Sequence, residues 1–315
     1  MFLKIFFTSL STLFLFISCD AKIGNKSISS EQYLTILGIA QDGGFPHIGC
    51  QKTCCTNIYD GKSERKSVVS LGLVDQQNEQ KWLFEATPDM HTQLAHLEKN
   101  HLKSNTIIDG VFLTHAHIGH YTGLMYFGRE AYGKNNIPVF AMPKMTAFLE
   151  KNGPWNQLVS LRNIQLKKLQ NDSIINLNNN LKVTPFLVPH RDEFSETVGY
   201  KIEGKHKSAL FIPDIDKWHK WKKNILEEIK KVDYAFLDAT FFYQNEVKRA
   251  MTEVPHPFIE ETVNLFKNES LSTKNKVIFI HFNHTNPALQ KNSKERTAIE
   301  KLGFRFANEG DIYQL

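Results

Sequence analysis

The sequence predicts an α/β domain in which mixed β-sheets are covered by helices. Three observations carry this. Short apolar runs of strand length alternate with stretches of helical periodicity from residue 33 onward. Hydrophobic residues make up 41% of the 315 and charged residues 23%, which is enough to bury a large core and too apolar for a disordered chain. No internal repeat and no Pro/Gly-rich linker follows residue 31, so residues 32–315 are expected to form one domain.

The elements follow in order. Tyr33–Gln41, Val68–Val74 and Lys81–Ala86 read as strands, and Asp89–Lys99 as a helix. Gly110–Thr114 is a short apolar strand that runs straight into histidines, with a helix expected over His120–Tyr132. Ile137–Met142 is a strand and Lys144–Lys151 a helix. Leu181–Val188, Thr197–Ile202 and Ser208–Ile212 are strands. Trp221–Val232 keeps Ile225, Ile229 and Val232 on one helical face. Tyr234–Leu237 is a buried-type strand, and Pro257–Lys267 a helix with proline in its first turn. Lys276–Ile280 is a strand ending in a histidine, Ser293–Leu302 is helical, and Phe304–Leu315 closes with a strand.

Composition removes several function classes. The formal net charge is +5 with pI near 8.8, and no dense basic block points to nucleic acid. Four cysteines are too few for a disulfide scaffold. No Gly-x-Ser-x-Gly elbow supports a serine hydrolase. Gly43-Gly44 reads as a tight turn, since no phosphate-binding glycine pattern accompanies it. Lys222-Lys223 and Lys230-Lys231 read as a solvated helix face, and the aromatics of Trp218–Trp221 and Phe241–Tyr243 as core.

At the N-terminus, Lys4 precedes an apolar run from Ile5 to Ile17, the length of a signal-peptide core. Ser18-Cys19 resembles a bacterial lipoprotein box. That resemblance implies a signal peptide over 1–18 and lipidation of Cys19, with 19–31 as a flexible tether. The expected location is then the periplasm or cell envelope, lipid-anchored to a membrane.

The chemistry is concentrated in residues 113–124, LTHAHIGHYTGL. His115, His117 and His120 follow a buried strand directly. With thirteen histidines in the chain, chance fills three given positions roughly once in 14,000 placements. His115 and His117, two apart in an extended segment, project the same way. His120, past a glycine, can turn toward the same point. Imidazole is a common zinc ligand, and catalytic zinc keeps three protein ligands and an open position.

Here the chain resembles the metallo-β-lactamase superfamily of metallohydrolases, whose signature is His-x-His-x-Asp-His after a strand. Residues 115–120 match it, with Gly119 where the aspartate belongs. The resemblance implies an αββα sandwich, two mixed sheets packed face to face with helices outside. It also implies further ligands at strand ends. His190 would complete the first metal, Asp214 would bridge, with Asp216 as its substitute, and His281 would complete the second. Residues 39–55, Thr87-Pro88-Asp89 and HFNHTNP at 281–287 are similar to the branch holding the pyrroloquinoline-quinone biosynthesis B-protein. The 39–55 segment also resembles the phosphonate-pathway phosphodiesterase. The B-protein itself lacks the His115/His117 pair.

Several points stay open at this stage. Without a carboxylate at 119, the second metal retains His120, Asp214 and His281, with His284, His256 or Asp89 as a replacement ligand; the alternative is a single metal with His120 as proton shuttle. Cys50, Cys54 and Cys55, with His47 nearby, allow a structural zinc, a disulfide or free thiols. Asp238-Ala239-Thr240 either orients a ligand or caps its strand. The function implied is a zinc hydrolase that uses a hydroxide nucleophile on a small phosphodiester, ester, lactone or lactam. Asp214 or His120 would orient the nucleophile, and His256 or His284 would protonate the leaving group. An iron-dependent redox enzyme, with manganese a further possible ion, and a non-catalytic metal-binding lipoprotein are the competing readings.

Overall fold

In β1 (Gln32–Gly38), Leu34 and Ile36 face one side of the strand and Tyr33 and Leu37 the other, and all four are buried. A computed structural model, which describes residues 31–247 and 254–315, builds two layers from that alternation. The predicted signal peptide and Cys19 lie outside the described residues.

The first sheet contains β1, β2 (Ser70–Asp75), β3 (Gln80–Phe84), β4 (Gly110–Phe112), β5 (Ile137–Ala141), β6 (Ile164–Lys168) and β14 (Ile312–Gln314), in the order β14-β1-β2-β3-β4-β5-β6. The second contains β7 (Ile175–Asn176), β8 (Lys182–Leu187), β9 (Val198–Glu203), β10 (Ser208–Ile212), β11 (Tyr234–Asp238), β12 (Val277–Ile280) and β13 (Arg305–Phe306), in the order β13-β12-β11-β10-β9-β8-β7. The two sheets share a plan. In the first, β14-β1-β2-β3 pair antiparallel and β3-β4-β5-β6 parallel. In the second, β7-β8-β9-β10 pair antiparallel and β10-β11-β12-β13 parallel.

One core lies between the sheets. Leu71, Leu73, Phe84 and Phe112 of the first sheet join Tyr200, Phe211, Phe236 and Phe279 of the second in one buried cluster. Phe112 stacks on Phe84 at 4.9 Å and on Phe140 at 4.3 Å, and it meets Tyr200 edge-on at 5.5 Å. Each such ring contributes roughly 1.5–3 kcal/mol through burial. A second cluster covers the outer face of the first sheet, where Leu83, Val111 and Val139 pack with Leu94 and Leu97 of α2 (Met90–Asn100) and with Met145 and Leu149 of α4 (Pro143–Lys151). Ile225 and Ile229 of α6 (Ile225–Lys230), Ile259 of α7 (Ile259–Leu265) and Ile299 of α9 (Lys294–Lys301) belong to the larger cluster, with the second sheet. The layering is the expected αββα sandwich.

The structure redraws some elements. The helix expected over His120–Tyr132 is a single α-turn, α3 (Ile118–Tyr121), followed by 3-10 turns over Thr122–Phe127. Gly123 sits there because a Cβ would come 2.1 Å from the Thr87 carbonyl oxygen. The helix expected from Trp221 starts at Ile225, because the Asn224 side chain accepts the Leu226 N–H and caps it. The closing strand is two strands: β13 pairs with β12, and β14 returns to β1 in the other sheet. The short helices α1 (Thr53–Tyr59), α5 (Trp155–Ser160) and α8 (Leu271–Lys274) and the strands β6 and β7 carry too little periodicity to be read beforehand. Trp218 donates to Thr262 Oγ1 at 2.9 Å and Trp221 to the Leu187 carbonyl at 2.8 Å, so both indoles are structural. No helix among the described residues is long and apolar enough to cross a membrane.

Candidate metal centre

Parallel pairing puts the carboxyl ends of β3, β4 and β5 on one edge of the first sheet, and those of β10, β11 and β12 on one edge of the second. Segments leaving those ends supply the histidines and carboxylates. β4 leads to His115 and His117, β10 to Asp214, β12 to His281, and the antiparallel β8 to His190.

Ligand atoms of His115, His117, His190 and Asp214 all lie within 4.8 Å of one another. His115 Nε2 and His117 Nδ1 converge to 2.8 Å, as the two-residue spacing predicts. Asp214 Oδ2 is 3.4 Å from His115 Nε2, and Asp214 Oδ1 is 3.2 Å from His190 Nε2. Asp216, the alternative to Asp214, stands behind His190, its Oδ1 3.4 Å from Nδ1, and takes Lys220 as an ion pair at 2.9 Å. Burial and then the nearby His120 charge push the His115 imidazole well below its ordinary pKa, which keeps it neutral as a ligand must be.

A second group, Asp42, His120, Asp214 and His281, also falls within 4.8 Å, so Asp214 is common to both. Asp42 Oδ1 is 2.9 Å from His120 Nε2 and 3.3 Å from His281 Nε2. Asp42 was absent from the sequence-derived ligand set. The signal available was its place in the glycine turn Asp42-Gly43-Gly44, directly after the first strand expected there. Glu85 was missed too. It is fully buried at the end of β3, with its Oε1 2.5 Å from Thr114 Oγ1 and 3.2 Å from His120 Nδ1. The Thr114 hydroxyl also lies 2.9 Å from His115 Nδ1, so one carboxylate orients two imidazoles. Glu85 and His281 both have left-handed backbone, φ +78° and +67°, which a non-glycine residue holds at a cost of about 1–3 kcal/mol.

Asp238, His256 and His281 form a third buried group. His256 Nδ1 is 2.8 Å from Asp238 Oδ2, and Thr240 Oγ1 donates to Asp238 Oδ1 at 2.7 Å and lies 2.8 Å from His281 Nδ1. Asp238 and Thr240 therefore orient ligands as well as closing the strand.

Three sequence-derived candidates lie outside the groups expected for them. Asp89 is not near these groups: it is ion-paired with Arg65 and accepts the Val68 N–H at 2.9 Å. His284 belongs to the cysteine segment, where it groups with Cys50 and Cys55 within 4.8 Å. Burial, with His47 and Lys52 beside it, lowers the His284 pKa to about 4, so at neutral pH it has no proton to give a leaving group. His47 is not in that group; it stacks on His284 at 4.3 Å and turns Nδ1 to the Ile48 carbonyl at 3.0 Å. Cys50, Cys54 and Cys55 are free thiols, and Cys54 and Cys55 Sγ stand 3.9 Å apart.

The donor sets fit metal ions. His190 Nε2 and Asp214 Oδ1, 3.2 Å apart, are buried and make no hydrogen bond of good geometry among the described residues, as expected where a cation takes the lone pairs. Burial disfavours charge on His120, but Glu85 and Asp42 outweigh it and raise its pKa well above the ordinary value. Against the same penalty, Asp214 raises His190 to about 9, and Asp238 with Asp214 raises His256 to about 10. Without an ion, protons do the work of a cation between these carboxylates.

Two seven-stranded mixed sheets with strand-end histidines and a shared aspartate define a metallo-β-lactamase-type fold with a candidate dinuclear centre. Residues 80–282, more than half of the chain, match the family model described as beta-lactamase superfamily domain, and the chain belongs to that family. It is 24% identical over 310 residues to coenzyme PQQ synthesis protein B of Acinetobacter baylyi, covering 90% of this chain and 99% of that relative. It is 25% identical to the protein of the same name from Klebsiella pneumoniae, covering 88% and 96%. Zn(2+)-bound PqqB from Methylobacterium extorquens shares the fold with a TM-score of 0.75 at 21% identity, covering 90% of this chain and 100% of that one. A diphosphatase from the PhnP family follows at a TM-score of 0.60 and 20% identity, covering 90% and 96%. The chain is thus similar in sequence to coenzyme PQQ synthesis protein B and in fold to the PhnP-family diphosphatase.

Proposed function

We propose that this protein is a metal-dependent hydrolase, with zinc as its ion, acting on a small-molecule phosphodiester, ester, lactone or lactam. One observation carries the reading: Asp214 belongs at once to two donor groups of histidine and carboxylate. His115, His117, His190 and Asp214 would hold one ion, and His120, His281 and Asp214 the other. Ions bound there lower the pKa of water and polarise the bond to be cleaved.

The chain's own residues do the rest. Glu85, Thr114, Asp238 and Thr240 fix the imidazole orientations. His256 holds a proton at Nδ1 between Asp214 and Asp238 and is the group that supplies one to the departing oxygen or nitrogen. Access favours the His117 side, where the ligand side chain is 14% exposed and Glu193 lies 3.4 Å away, with the neighbouring Ile118 and Phe194 exposed.

The test is hydrolysis of bis-(nitrophenyl) phosphate, lactone and cephalosporin reporters, with metal analysis of protein purified without added metal. Chelator-sensitive turnover of one reporter with bound zinc or manganese supports the reading. Bound iron would favour redox work instead. Full metal loading without turnover would favour a metal-holding role.

Two further parts belong to this reading. Cys50, Cys55 and His284 would hold a structural zinc. Residues 1–19 would direct export and lipidation at Cys19, anchoring the domain to a membrane; the mass of the mature N-terminal peptide tests that.

A further inference from the structure

We infer that Asp42 supplies the carboxylate of the second metal position, and that residue 119 must be glycine because Asp42 occupies the space a side chain there would fill. The inference rests on the metal-centre reading above. A Cβ at 119 would lie 2.5 Å from Asp42 Cα, 2.8 Å from its Cβ and 2.8 Å from its Cγ, contacts that real side chains do not make. The missing aspartate and the added one are therefore one change. A carboxylate withdrawn from the turn before His120 is returned to the same space from a neighbouring loop.

The loop is built to hold that position. The Phe282 N–H donates to the Ile39 carbonyl at 2.8 Å and the Gln41 N–H to the Phe282 carbonyl at 2.8 Å. The segment before Asp42 is thereby zipped to the residue after His281. On its other side the Ala40 N–H donates to the Ser67 carbonyl at 2.9 Å, and the Gly44 N–H closes the turn on the Gln41 carbonyl at 2.7 Å. Asp42 Oδ1 then meets His120 Nε2 and His281 Nε2 at 2.9 and 3.3 Å, the two imidazoles that would share its ion. The competing replacements are committed elsewhere: Asp89 to Arg65, His284 to the thiols and His256 to Asp238. The second position keeps a carboxylate as well as the shared Asp214, so the site keeps the charge to hold two divalent ions.

The full chain, stripped and reloaded with Co(II), provides the test. Metal is counted by mass spectrometry and the visible Co(II) bands report coordination. Asp42→Ala should bind about one equivalent less than the unsubstituted protein. The isosteric Asp42→Asn should weaken that equivalent at least about tenfold while leaving the circular dichroism unchanged. Gly119→Ala should lose the same equivalent by displacing Asp42. Unchanged stoichiometry and bands in Asp42→Asn, alongside metal loss in His115→Ala, would overturn the inference and leave the metal centre standing. Full metal in His115→Ala and Asp42→Asn alike would overturn both.

Discussion

His256 Nδ1 stands between two aspartates, 3.1 Å from Asp214 Oδ1 and 2.8 Å from Asp238 Oδ2. Among the described residues it is thus the one buried histidine that touches the shared carboxylate from outside the motif at 115–120 and the strand-end pair His190 and His281. Replacing it with glutamine should leave metal content near that of the unsubstituted protein and lower kcat by about 10²-fold or more, the usual worth of a positioned proton donor. Turnover and metal content measured on the same preparation check this; an unchanged kcat would remove His256 from the chemistry.

Glu85 carries the orientation of His115 and His120 through Thr114 and its own carboxylate. Glu85→Gln should therefore weaken metal binding by about 10- to 100-fold, although Glu85 is not a member of either donor group. Competition with a chromophoric chelator measures it, and native affinity would show that the carboxylate is only filling space.

The metal-free protein should lose stability as the solution becomes alkaline. His256 is raised from 6.5 to about 10, against burial, by Asp238 and Asp214. A raised folded-state pKa contributes in full below the unfolded value and fades as pH rises through the folded one. The apo unfolding midpoint should thus fall between pH 6.5 and about 10. His190, a ligand in this reading, is raised to about 9 by Asp214 and must give up its proton to bind a metal, so affinity should rise with pH up to about 9. Urea titrations of apo protein and calorimetry in buffers of different ionisation enthalpy give the two signs.

Burial raises the Cys55 thiol to about 12, and burial also raises Cys54, while Cys50 is lowered through its hydrogen bonds to Cys55 and Lys52 despite desolvation. A cation is what would draw such thiols into thiolate form. Replacing Cys50, Cys54 and Cys55 together with serine should remove about one zinc per chain and leave the Co(II) bands of the histidine sites in place. Unchanged zinc content would leave the thiols as packing groups.

Much of this was readable in one dimension. His115, His117 and His120 announce themselves through spacing, and the family resemblance they carry implied His190, Asp214 and His281 at the ends of apolar strands. Short apolar runs likewise gave the strands that flank the site, because both faces of those strands are buried and the pattern is local. Helix ends were less legible. The Asn224 side chain sets the start of α6, and Glu261, accepting the Phe258 N–H at 2.9 Å, that of α7, both inside the broader periodic stretches.

What sequence alone determined, then, is the class of chemistry: imidazoles and a carboxylate placed after buried strands in an α/β chain. Tertiary structure decided which other groups complete it. Asp42 and His281 are 239 positions apart, and Glu85 meets Thr114 across 29. His284 lies three residues from a ligand yet joins the thiols instead. Such partnerships depend on sheet register and on loops zipped side by side, and a linear pattern carries no distance between segments until the sheets have formed.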